Sequence, residues 1–176
     1  MESEYGKQLG IAVRAVLDMQ ADSIRLFRDL DKALDDLRPL LGNLVTTNIG
    51  SSINSNQLYL AAYLFRLYAP LGADHRVLGL NICFHAHPNR HFEEPYFLAA
   101  NILYDPATPD RPEQLQRAWD PWSAYLDWNT DWSYGKALEI APRRGTIEKI
   151  VVAAAPLYSV TSLEAAMRTI NLVGRP

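Results

Sequence analysis

An α+β architecture follows from three features of the chain. Apolar residues recur at steps of three and four near the N-terminus, two strand-like runs flank a Pro-Asn-Arg turn, and a capped apolar stretch closes at a glycine. The expected arrangement is a long N-terminal amphipathic helix, an antiparallel sheet of four or more strands, and a C-terminal helix packed on the sheet. Residues 1–42 read as the helix, an oligomerisation or packing element, and 43–56 as a polar linker or loop. Residues 57–176 read as the sheet domain, carrying a tryptophan-rich segment over 119–134.

The first helix is expected from about Ser3 to Arg38. Its seam runs through Leu9, Val13, Val16, Ile24, Phe27, Leu30, Leu34 and Leu37, with Gln20 as its one polar member. Such a seam belongs to a helix packed along its length, as in a helical hairpin or coiled coil. Arg14 and Asp18, Arg25 and Asp29, and Lys32 and Asp36 stand four apart, each pair worth about 0.2–0.5 kcal/mol. Pro39 is expected to stop the helix, because it lacks a donor and restricts Arg38. At 1.5 Å per residue the helix would reach roughly 50 Å, more than a small domain covers.

Asn43 to Asn56 is dominated by Thr, Asn, Gly and Ser, the composition of a loop. Gln57 to Ala69 holds Tyr59, Tyr63, Phe65 and Tyr68 before Pro70-Leu71-Gly72, which favours a strand. Leu60, Leu64 and Leu67 also fit a helical period, so helix stays open there. Val77 to His87 reads as a strand with Leu78, Leu80, Ile82 and Phe84 on one face, and Tyr96 to Tyr104 as its antiparallel return. Asp105 to Pro112 is a loop, and Asp110 with Pro112 can open a short helix. Ile147 to Val160 carries the β-branched run Ile150, Val151, Val152. Thr161 and Glu164 form a capping box for a last helix through Val173, closed by Gly174.

At 176 residues, 48% apolar and 21% charged, the chain fits one globular domain with a substantial core. A formal net charge of −3 argues against nucleic acid as a partner, since phosphate binding needs a surplus of Lys and Arg. Cys83 is the only cysteine, so no internal disulfide is possible. The acidic start Met1-Glu2-Ser3-Glu4 lacks the features of a signal peptide, and no apolar stretch approaches the roughly 20 residues of a membrane span. A cytoplasmic protein without a membrane partner is the expectation.

Three clusters carry candidate chemistry. His85 and His87 share a strand face, His91 follows across the turn, and Glu93 and Glu94 lie close behind, so together they could hold a divalent metal. No His-Glu-x-x-His accompanies them, and a solvated hairpin tip explains the same residues. Trp119, Trp122, Trp128 and Trp132, interleaved with Asp127 and Asp131, could stack on a ligand and hold its hydroxyl or amine groups. Packing on the sheet as an irregular lid is the plainer role for these rings. Cys83 beside His85 could form a nucleophile–base pair, but strand neighbours two apart sit roughly 6.5–7 Å from one another. No phosphate loop and no nucleophile elbow are present.

The leading expectation is a non-enzymatic assembly protein, a homo-oligomer such as a dimer or a chain with a helical protein partner. Leu9, Val13, Val16, Phe27, Leu30, Leu34 and Leu37 would form the interface. A ligand-sensing domain with a tryptophan-lined cleft stands second. A metal-dependent hydrolase using the histidine cluster stands third, the only reading that requires a cofactor.

Overall fold

The computed structural model describes residues 4–47, 63–73, 75–84, 94–107, 133–140 and 147–176. In chain order these form helix α1 (Glu4–Ala33) and strands β1 (Leu37–Pro39), β2 (Thr46–Thr47), β3 (Tyr63–Pro70), β4 (Arg76–Cys83), β5 (Tyr96–Tyr104), β6 (Leu138–Ile140) and β7 (Ile147–Pro156). A 3-10 turn over Leu157–Ser159 then leads to helix α2 (Leu163–Val173). The expected α+β class is what is found: an N-terminal helix, an antiparallel sheet and a C-terminal helix packed on it.

The strands lie in the order β1-β3-β4-β5-β7-β6, with β2 also on β3. Tyr68 pairs with Pro39 on one side and Leu78 on the other, and Leu64 pairs with Thr47 and Ile82. The two short strands therefore share the edge of β3 opposite β4. The expected β4–β5 hairpin is present, with Cys83 opposite Tyr96 and Val77 opposite Ile102. In the stretch left open between strand and helix, residues 63–70 are strand.

α1 ends five residues short of Arg38. Leu34 N–H still bonds to the Leu30 carbonyl, and Leu37 N–H then bonds to the Leu34 carbonyl, which closes a turn. Pro39 is not a helix stop but the last residue of an edge strand, a position where its missing donor costs no ladder bond. Its restriction on Arg38 favours extended backbone, and that starts the sheet. The ion pairs of α1 also differ from those expected. Arg25 bonds back to Asp22 at 2.9 Å and Lys32 to Asp29 at 3.4 Å, three apart rather than four. Asp36 meets Arg175 at 3.2 Å and ties the C-terminus to the junction after α1.

At α2 the cap is Ser162, whose Oγ accepts from Ala165 N–H, instead of the Thr161–Glu164 box. Glu164 pairs with Arg168 at 2.9 Å. Gly174 closes the helix at φ 74°, left-handed backbone that a side chain would resist.

Both faces of the sheet are buried. One carries Leu64, Tyr68, Leu80, Ile82 and Phe97 and is covered by Phe27 and Leu30 of α1, Leu34 just after it, and Ala166, Ile170 and Val173 of α2. The other carries Phe65, Tyr96, Leu98, Ile102, Ile150 and Val152, and no residue of α1 or α2 belongs to it. Phe84 packs with Leu78, Leu80 and Ile82 on the helix-covered face, as their shared parity requires. Among the described residues, no helix is long and apolar enough to cross a membrane.

Candidate functional site

The seam of α1 is one stripe in two environments. Ser23, Phe27, Leu30 and Leu34 follow each other at steps of four, three and four, and all are buried. The same phase continues backwards through Gln20, Val16, Val13, Leu9 and Tyr5. There the side chains emerge: Val16 and Gln20 are half-buried, and Val13, Leu9 and Tyr5 stand 52%, 54% and 74% exposed. Leu17, at the margin of the stripe, is 57% exposed. The helix runs past the end of the sheet, and its first half overhangs by about 20 Å at 1.5 Å per residue.

This divides the expected interface residues. Phe27, Leu30, Leu34 and Leu37 lie in the chain's own core at 2%, 0%, 0% and 7% exposure, so they have no surface to offer a second chain. The sheet consumes that part of the seam because its own face needs cover. Leu9 and Val13 remain open to a partner, with Val16 at the boundary. The charged residues of the overhang, Glu4, Lys7, Arg14 and Asp18, all fall on the side of the helix away from the stripe at 100° per residue.

An ion pair with a buried guanidinium ties α1 to β3. Arg66 on β3 is 3% exposed and donates from Nε and Nη2 to the two carboxylate oxygens of Asp31, both at 2.7 Å. Its Nη1 donates to the Leu44 carbonyl at 2.8 Å. The Tyr68 hydroxyl donates to the same Asp31 at 2.8 Å, and the guanidinium lies 5.8 Å from the Tyr68 ring centre. Burial draws the Arg66 pKa down, but the bonds to Asp31 and the neighbouring Tyr68 outweigh it, and the guanidinium stays charged. Burial, then Asp31, push the Tyr68 hydroxyl far above its usual range, so it remains a donor. The clue in the sequence was Arg66 itself, a lone charge inside an apolar strand, which requires a buried counterion.

Beside the stripe, α1 forms one bank of a groove of about 820 Å³. The opposite bank is the 3-10 turn and the start of α2, with Glu94 and Pro95 at one end. Glu94, a member of the expected metal set, is half-buried there, and its carboxylate lies against the Tyr134 hydroxyl. Burial, then that carboxylate, raise the tyrosine's pKa far above the usual range.

No family model, curated protein or solved structure matches this chain.

His85, His87, His91 and Glu93 lie outside the described residues, as do Trp119, Trp122, Trp128, Trp132, Asp127 and Asp131. Among the described residues no group of three or more His, Cys, Asp or Glu side chains is placed to hold a metal. Cys83 is 1% exposed on the sheet face away from the helices. A reactive thiolate favours a partly exposed setting, and this thiol is buried.

Proposed function

We propose that the protein is a non-enzymatic assembly element that pairs with a second copy of itself through the overhanging half of α1. The observation that supports this reading is the continuity of the stripe, buried from Ser23 onward and exposed from Val13 back to Tyr5 without a change of phase. A helix with a wholly intramolecular role has no use for apolar residues in register beyond the sheet.

The pattern suits an antiparallel pair. A two-fold axis between Ala12 and Val13 sets Leu9 against Val16 and Tyr5 against Gln20, and no charge falls in the seam. In that arrangement the buried segments from Ser23 onward extend to opposite ends of the pair. Tyr5, Leu9, Val13 and Leu17 are 52–74% exposed, so burying the remainder contributes about 1–2 kcal/mol per side chain, about 8–16 kcal/mol over both copies. Association costs about 4–15 kcal/mol, so a stable dimer is within reach of these residues alone.

Sedimentation velocity of the full chain over a wide concentration range tests the reading. A monomer–dimer equilibrium is expected, abolished by Leu9→Glu with Val13→Glu while the far-ultraviolet circular dichroism stays that of a folded chain. A full-length protein that remains monomeric at every concentration rules the proposal out.

A further inference from the structure

The groove between α1 and the start of α2 has its own chemistry, on a flank of α1 that the self-association stripe does not use. Among the described residues four carboxylates line it, Asp18, Asp22, Asp29 and Glu94, against the single guanidinium of Arg25. Arg25 is engaged by Asp22, and Lys32 answers Asp29 from outside the lining. Asp18 and Glu94 have no ion-pair partner among the described residues. The N-terminus of α2 adds about half a positive charge at one end, too little to reverse the sign.

The floor between these carboxylates is apolar. Met19 and Leu26 come from α1, and Leu157, Val160 and Leu163 from the other bank, all partly buried. Tyr158 borders the groove at 73% exposure, an aromatic face suited to covering a Lys or Arg. Along α1 the groove runs from Ala15 to Asp29, about 21 Å at 1.5 Å per residue. An elongated trough with an apolar floor and acidic walls complements one shape of ligand better than a compact cation.

We propose that this groove docks a basic amphipathic helix of another protein, of about four turns. Its apolar side, spaced at three and four residues, settles on Met19, Leu26, Leu157 and Leu163. Its Lys and Arg side chains reach Asp18 and Glu94 from the rim. The formal net charge of −3 on the whole chain draws such a partner in at long range.

Fluorescence anisotropy of a dye-labelled leucine–lysine amphipathic peptide, titrated with the full chain, tests the proposal. The peptide should bind. Asp18→Asn with Glu94→Gln should weaken binding about tenfold, and raised salt should weaken it too. Tyr158→Ala, a change at an exposed site, should weaken it independently. Binding should persist in the Leu9→Glu, Val13→Glu chain, which separates the groove from the self-association stripe. Loss of binding in that chain overturns the proposal, because the peptide then uses the overhang. Equal binding of a leucine–glutamate counterpart overturns it as well, and so does insensitivity to the Asp18 and Glu94 changes. Displacement by spermine at matched charge reassigns the groove to a small polycation and defeats the helix reading.

Discussion

Arg66 and Asp31 are not equivalent halves of their ion pair. The Arg66 side chain is 4% exposed and that of Asp31 is 30% exposed, so only the guanidinium is cut off from water. Removing Asp31 leaves a buried uncompensated cation, and Asp31→Ala is expected to cost about 3–5 kcal/mol. Removing Arg66 leaves a carboxylate that water can reach, and Arg66→Met should cost less, about 1–2 kcal/mol. Changing Asp31→Leu, Arg66→Met and Tyr68→Phe together removes every polar group of the cluster except the Leu44 carbonyl, whose residue is exposed. That triple variant should recover most of the loss, because desolvated charge is replaced by packing. Urea denaturation of the three proteins measures the order, and equal costs for Asp31→Ala and Arg66→Met would contradict this account. Asn81 poses the opposite case. It is fully buried, and neither its Oδ1 nor its Nδ2 has a hydrogen-bond partner among the described residues. An unsatisfied buried amide costs about 1–3 kcal/mol, so Asn81→Leu, with the same branching, should raise the melting temperature. A fall would mean that an internal water satisfies the amide.

At the scale of elements, the legible parts were those whose large apolar residues alternate with small or polar ones, even in β4, which is buried on both faces. α1 and the Leu78–Ile82 face could be read because polar residues alternate with apolar ones at the period of the element. β3 resisted, because Tyr63 through Ala69 are all buried and large apolar residues, Tyr63, Phe65 and Leu67 against Leu64 and Tyr68, stand on both of its faces. The end of α1 was misplaced for a related reason. Leu34 and Leu37 keep the helical spacing, yet Leu37 is buried as the first residue of an edge strand. Spacing alone does not distinguish those two fates, while the Asp31–Arg66 pair that fixes the helix depends on a contact 35 residues apart. The division of the seam was equally hidden, since nothing in residues 5–34 marks where the sheet ends. It has a direct consequence for truncation. Deleting residues 1–17 removes side chains of α1 that are exposed or half-buried, and the remaining chain should fold and melt at the temperature the full-length protein approaches on dilution. Deleting residues 1–42 removes Phe27, Leu30, Leu34 and Leu37 from the core, together with β1, and should abolish cooperative unfolding. Circular dichroism melts of the two truncations separate these outcomes, and a well-folded 43–176 fragment would show that α1 is not part of the core.

For the molecule as a whole, self-association through an overhang and stability of the sheet are linked even though they involve different residues. The stripe over Tyr5–Gln20 is helical only in the folded chain, and a helix of that length is marginal on its own in water. A dimer therefore binds the native state and not the unfolded one, and mass action transfers its binding energy to the fold. At a total protein concentration about a hundredfold above the dissociation constant, where free monomer is itself depleted, the gain is about 1.6 kcal/mol per protomer, which raises the melting temperature by roughly 3–6 °C for a chain of this size. The melting temperature should accordingly climb with concentration in the full-length protein. In the Leu9→Glu, Val13→Glu chain it should stay flat, at the value the full-length protein approaches on dilution, because both positions are exposed and neither contributes to the core. Calorimetry over a concentration series measures both curves. A melting temperature independent of concentration in the full-length chain would mean that α1 meets no second copy. A concentration dependence that survives the double substitution would place the contact elsewhere on the surface.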